Sequence, residues 1–135
     1  MVKAKILLAE DDGLLAVNIK ARLEILDYSL VEIVTSREEV IKKTLETKPD
    51  LVLMDIGLAG EIDGIEAARQ ILRQLFIPIV YLTAYSGDET ISRAKVTEPY
   101  GYITKPFDIT NLATSIELAK MREAPRRPER RRWDG

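Results

Sequence analysis

The chain has 135 residues, 46% of them hydrophobic and 31% charged, with a formal net charge of −2. That is one domain of ordinary size with enough apolar material for a full core. It has no cysteine and no histidine, which excludes a disulfide framework, a thiolate zinc site, a Ser-His-Asp arrangement and the commonest general base.

Any metal bound here must be held by oxygen, which points to magnesium, manganese or calcium. No apolar run approaches the roughly 18 residues of a membrane helix. Ile6-Leu7-Leu8-Ala9, behind two lysines, is too short for a signal-peptide core. A cytoplasmic location without membrane contact is expected.

Lys5-Ile6-Leu7-Leu8-Ala9 reads as a strand buried on both faces, and it ends in Glu10-Asp11-Asp12. Asp12 stands where a helix N-cap belongs, ahead of Leu14, Leu15, Ile19, Leu23 and Leu26 at helical spacing. Leu30 to Val34 is a short β-branched run. Ser36-Arg37-Glu38-Glu39 then carries a capping-box pattern and opens a helix that runs to about Thr47, before Pro49. Leu51-Val52-Leu53-Met54-Asp55 is four apolar residues running into an acid, again a doubly buried strand.

A loop with Gly57 and Gly60 follows, and Asp63-Gly64 opens a helix through Ile65, Ala68, Ile71, Leu72 and Leu75. Pro78 to Leu82 is another buried strand, ending in Thr83-Ala84. Ser86 to Lys95 predicts a short, weakly apolar helix, and Pro99 to Ile103 a fifth strand. Alternation along that strand puts Tyr100, Tyr102 and Thr104 on one face, so Tyr102 is placed to pack against the last helix. After Lys105-Pro106-Phe107, Asp108 caps a helix through Ile109, Leu112, Ile116, Leu118 and Ala119.

Strand and helix alternate five times. That order predicts an α/β fold: a doubly wound, five-stranded parallel sheet covered on both faces. Right-handed crossovers leave 2-1-3-4-5 as the best strand order. The most apolar runs, from Lys5, Leu51 and Pro78, belong inside it, and the more polar runs from Leu30 and Pro99 at the edges. Residues 1–122 form the expected domain, with fifteen basic and nineteen acidic groups. Residues 123–135, with five basic and three acidic groups, form a basic tail expected to be a disordered extension or a cut linker. Nucleic-acid binding is not expected of so short a run.

The carboxyl edge of such a sheet gathers Glu10, Asp11, Asp55, Thr83 and Lys105. Three crowded carboxylates raise one another's pKa and oppose folding unless a cation neutralises them. Hard oxygen ligands suit Mg²⁺, with Mn²⁺ as a substitute. Lys105 adds a second cation and Thr83 a hydroxyl donor. This set suits phosphoryl transfer, which rests on positioning and charge neutralisation, with Asp55 as nucleophile. A haloacid-dehalogenase-type phosphatase would need a second Asp where Gly57 stands. A nucleotide site would need a glycine-rich loop where Glu10-Asp11-Asp12 would repel phosphate.

Glu10-Asp11, Asp55, Asp63-Gly64, Thr83-Ala84 and Lys105-Pro106-Phe107, in that order over residues 4–121, resemble the receiver domain of two-component response regulators. The resemblance implies a flavodoxin-like fold. In it, Asp55 is the phosphoacceptor, taking its group from a phosphohistidine on a sensor histidine kinase or phosphotransfer protein. It further implies Mg²⁺ on Asp11, on Glu10 directly or through water, on Asp55 and on the backbone carbonyl of Gly57. Thr83 and Lys105 contact the phosphoryl group, the Lys105–Pro106 peptide is cis, and Tyr102 is an aromatic switch partnered with Thr83.

The implied output is a change in binding to a downstream protein or to a second copy, through the fourth helix, fifth strand and fifth helix. The chain would not turn over an external substrate. It would act alone or as a fragment, since no output domain follows residue 122. Tyr85 is expected to restrict water at the phosphoryl group. Two other readings stand beside this one: a pseudo-receiver that is never phosphorylated, and a metal-dependent phosphatase.

Overall fold

The computed structural model describes residues 3–60, 63–84 and 88–122. The basic tail, Tyr85 and part of the loop after Gly60 lie outside the described residues. The elements are β1 (Lys5–Ala9), α1 (Gly13–Ile25), β2 (Ser29–Val34), α2 (Arg37–Thr47), β3 (Leu51–Asp55), α3 (Asp63–Leu72), β4 (Ile79–Thr83), α4 (Asp88–Lys95), β5 (Gly101–Thr104) and α5 (Ile109–Met121). A short 3₁₀ turn, Leu58–Gly60, links β3 to α3. The five strands form one sheet in the order β2-β1-β3-β4-β5, all parallel, as the alternation of elements predicts.

Strand alternation sends successive side chains to opposite faces, and each face meets its own helices. Leu7, Ala9, Val52, Met54 and Tyr81 join Val40, Ile65, Ala68, Ile71 and Ala94 on the side of α2, α3 and α4. Ile6, Leu8, Leu53, Val80 and Leu82 join Ala16, Ile19, Leu23, Leu112 and Ile116 on the side of α1 and α5. Every residue of β3 and β4 is buried, whereas β2 and β5, at the edges, are only partly so. Each fully buried aliphatic side chain contributes about 1.5–3 kcal/mol.

The helix ends follow from their caps. Asp12 accepts hydrogen bonds from the N–H groups of Leu14 and Leu15 and starts α1. Asp108 and Asn111 satisfy each other's backbone N–H in a reciprocal box at α5. At α2 the box is displaced: Ser36 accepts from Glu39 N–H as expected, but the Glu39 carboxylate reaches past Ser36 to the N–H and hydroxyl of Thr35.

Four expectations are corrected. β5 begins at Gly101, not Pro99, because the chain turns at Glu98, with φ of 51°, before regular pairing starts at Val80 and Gly101. Consequently Tyr100 and Tyr102 lie on opposite faces. Tyr100 joins the α1/α5 side, while Tyr102 packs against the α2/α3/α4 side and not against the last helix. Leu14 is 84% exposed although it fits the apolar spacing, since α1 turns Ala16, Ile19 and Leu23 to the core. Leu118 of α5 is likewise exposed.

Candidate functional site

Sheet register brings the strand ends together. Ala9 pairs with Met54, Asp55 with Leu82 and Thr83 with Thr104. The residues leaving the carboxyl edge are therefore neighbours: Glu10 after β1, Asp55 closing β3, Thr83 closing β4 and Lys105 after β5. Glu10 is 1% exposed and Asp55 5% exposed, whereas Asp11 is exposed. One carboxylate oxygen from each of Glu10, Asp11 and Asp55 lies within 4.8 Å of the others.

Lys105 closes this cluster from the far edge. Its Nζ stands 3.1 Å from Glu10 Oε1 and 3.4 Å from Asp55 Oδ2. The other Asp55 oxygen, Oδ1, accepts from Gly57 N–H at 3.0 Å, and Glu10 Oε2 accepts from Asp12 N–H at 3.1 Å. The Lys105 backbone N–H donates to the Thr83 carbonyl at 2.8 Å, and the Lys105–Pro106 peptide is cis. The structure thus brings Glu10, Asp11, Asp55, Thr83 and Lys105 to one place, with Gly57 beside them through its amide.

One ammonium does not balance three carboxylates. Burial, followed by the hydrogen bond and the charge of Asp55, pushes Glu10 up to about 7. Burial by itself pulls the Lys105 ammonium down, but Asp55 and Glu10 together outweigh it and hold Lys105 above its ordinary value. An all-oxygen donor set with excess negative charge, one member pushed far above the carboxylate range, fits a hard divalent cation. Glu10, Asp11 and Asp55 are the residues that could hold it.

Two residues that position the site carry no role in the sequence reading. Gly64, at the start of α3, packs onto the backbone of Asp55: a Cβ there would lie 2.1 Å from the Asp55 carbonyl oxygen. Its signal was the Asp63-Gly64 pair, which marks a helix start but not its distance from β3. Arg22 of α1 donates from Nη1 to the Phe107 carbonyl at 3.1 Å and so ties the turn after Lys105 to α1. No local pattern announces a bond across 85 residues of sequence. Between α1 and that turn lies a cleft of about 550 Å³, lined by Leu14, Leu15, Arg22, Lys105 and Phe107 among others.

Tyr102 lies on β5, the strand that runs into Lys105, beside Tyr81, with ring centroids 6.0 Å apart and planes at 29°. Its hydroxyl is buried and has no hydrogen-bond partner among the described residues. Among the described residues no helix is long and apolar enough to cross a membrane.

Comparison with known proteins agrees with this geometry. The family described as the response regulator receiver domain matches residues 6–117. Transcriptional regulatory protein PdtaR of Mycobacterium tuberculosis is 36% identical over 121 residues, covering 90% of this chain and 58% of that protein. The chain spans about half the length of the curated relatives it matches. Among solved structures, the signal receiver domain of a modulated diguanylate cyclase from Desulfovibrio desulfuricans G20 superposes with a TM-score of 0.80 at 34% identity, covering 87% of this chain and 93% of that one. The BeF3-activated N-terminal receiver domain of Klebsiella pneumoniae RstA gives 0.79 at 30% identity, covering 87% and 99%. By its sequence match, its strand order and its solved relatives, the chain belongs to the response regulator receiver domain family.

Proposed function

We propose that the chain is a phosphoacceptor switch, with Asp55 taking a phosphoryl group from a phosphohistidine on a sensor histidine kinase or phosphotransfer protein. The observation that carries this reading is the Lys105 ammonium set between the carboxylates of Asp55 and Glu10, in a cluster with Asp11. Glu10, Asp11, Asp55 and the Gly57 carbonyl would hold Mg²⁺, which supplies positive charge for the oxygens of the transferred group.

The chain's own residues do the rest. A carboxylate oxygen of Asp55 attacks phosphorus, the P–N bond breaks, and its electron pair leaves with the imidazole. Lys105, already paired to Asp55, shifts toward the negative charge that arrives on the phosphoryl oxygens. Thr83, buried at the end of β4, provides a hydroxyl on the same edge. The cleft between α1 and the Phe107 turn opens beside Lys105 and suits the approach of a donor protein. The phosphorylated chain then changes its binding to a downstream protein or a second copy through α4, β5 and α5, and processes no external substrate.

Acetyl phosphate with Mg²⁺ tests the reading by intact mass. The wild type is expected to gain one phosphoryl group per chain and Asp55→Asn none. No gain in the wild type would identify a pseudo-receiver that works only as an interaction module. Continuous release of phosphate without a stable adduct would identify a phosphatase.

A further inference from the structure

On the α2/α3/α4 side of the sheet runs a hydrogen-bonded chain that the site chemistry does not use. Tyr81 of β4 is fully buried, and Thr97, just beyond the end of α4, is 5% exposed. Thr97 Oγ1 donates to the Ala94 carbonyl at 2.6 Å, and the Tyr81 hydroxyl lies 2.8 Å from Thr97 Oγ1. A threonine hydroxyl has one proton, and here Ala94 receives it. Tyr81 is therefore the donor to Thr97. Burial holds the Tyr81 phenol far above its ordinary value, so that proton stays in place.

This chain has position on its side. Tyr81 and Thr83 are two residues apart on one strand and so share a face. Thr83 stands at the candidate site, and Tyr81 is one pleat behind it. On the neighbouring strand Tyr102 is the register partner of Tyr81 and stacks on its ring, with its own hydroxyl buried and without a hydrogen-bond partner among the described residues. Of the α4 side chains described, only Ala94 is buried. An element with so little apolar anchorage is held by few interactions and opens at low cost. The bonds from Tyr81 to Thr97 and from Thr97 to the Ala94 carbonyl connect β4 to the last turn of α4.

We infer that the Tyr81–Thr97 hydrogen bond is the tie through which the Asp55 site moves α4 and the face that α4 presents to a partner. The inference rests on the phosphoacceptor reading above. Displacement at the Thr83 end of β4 is carried by Tyr81 to Thr97, and by Thr97 to the Ala94 carbonyl in the last turn of α4.

Amide hydrogen exchange on the full chain tests the tie, read at residues 94–98 with and without Mg²⁺ and beryllofluoride. The variants are Tyr81→Phe, which keeps the ring, Thr97→Val, which breaks the bond from the other side, and Thr97→Ser, which keeps the hydroxyl. In the absence of ligand, exchange at residues 94–98 is expected to quicken about fivefold in Tyr81→Phe and Thr97→Val, the size of one net hydrogen bond, and to stay near wild type in Thr97→Ser. Beryllofluoride is expected to change exchange there in wild type and Thr97→Ser but not in the two broken variants.

Unchanged exchange in both broken variants, or a ligand response that survives the loss of the Tyr81 hydroxyl, would overturn the tie alone. A wild type that fails to bind beryllofluoride would overturn the phosphoacceptor reading and the coupling with it.

Discussion

Gly64 and Asp55 are packed backbone to backbone: a Cβ on Gly64 would stand 2.1 Å from the Asp55 carbonyl oxygen and 3.0 Å from its carbonyl carbon. The Gly64 amide meanwhile donates to the Ile56 carbonyl at 3.2 Å. The start of α3 can sit this close to the end of β3 only because residue 64 has no side chain. Strand pairing with Leu82 places Asp55 at the sheet edge, and the missing side chain lets α3 start against it.

Gly64→Ala is therefore expected to destabilise the protein by about 3 kcal/mol or more, the upper end of overpacking costs, because the colliding atoms are main chain. Gly13→Ala makes the contrast. A Cβ at Gly13 meets nothing within 4 Å, and alanine at the start of α1 should stabilise by about 0.4–1 kcal/mol. Urea unfolding of the two variants measures both.

The raised Glu10 fixes the sign of a pH effect. Folding lifts this acid from 4.5 to about 7, so the folded state favours its protonated form. The metal-free protein then carries a stabilising contribution below pH about 4.5 that is lost as the pH rises through about 7. Thermal unfolding with a chelator should show this decline. The gap between Mg²⁺ and chelator should widen over the same range, since the cation favours the ionised carboxylate. Glu10→Gln should flatten the chelator profile and weaken the Mg²⁺ effect. A profile in Glu10→Gln that matches wild type would assign the pH dependence to other groups.

Thr44 of α2 is fully buried, and its hydroxyl has no hydrogen-bond partner among the described residues. Valine occupies the same space without a polar atom to desolvate. Thr44→Val is expected to stabilise by about 1 kcal/mol. Thr44→Ser, which keeps the hydroxyl and loses the methyl, should destabilise by about 1 kcal/mol. Denaturant midpoints at constant m-value measure both.

Arg22 donates to the carbonyl of Phe107, two residues beyond Lys105. Arg22→Ala should cost about 1–2 kcal/mol of stability. It should also slow phosphorylation by acetyl phosphate severalfold without abolishing it, because Lys105 keeps its charge but loses a fixed approach to Asp55. Urea unfolding and the time course of mass gain separate the two effects. A rate equal to wild type in a destabilised variant would confine Arg22 to a structural role.

Much of this molecule was legible from residue order. Doubly buried strands show as unbroken apolar runs, so Ile6–Ala9, Leu51–Met54 and Ile79–Leu82 identified the interior of the sheet. Right-handed crossovers then fixed its strand order, and with it the edge on which Glu10, Asp11, Asp55, Thr83 and Lys105 meet. Asp12 and Asp108 capped their helices as their chemistry predicts, because a cap is a local hydrogen bond.

Tertiary structure decided what pattern alone cannot. Helical spacing assigned Leu14 to an apolar face, but the sheet and α5 set how far that face is covered, and Leu14 lies beyond it. Alternation placed Tyr100 with Tyr102, yet the turn at Glu98 delays β5 and puts the two rings on opposite sides. The ties from Arg22 to Phe107 and from Tyr81 to Thr97, and the approach of Gly64 to Asp55, join separate elements. Local sequence specifies conformation through backbone preference and periodic burial. Distances between elements are set only when the elements pack, and the fine geometry around Asp55 is a matter of those distances.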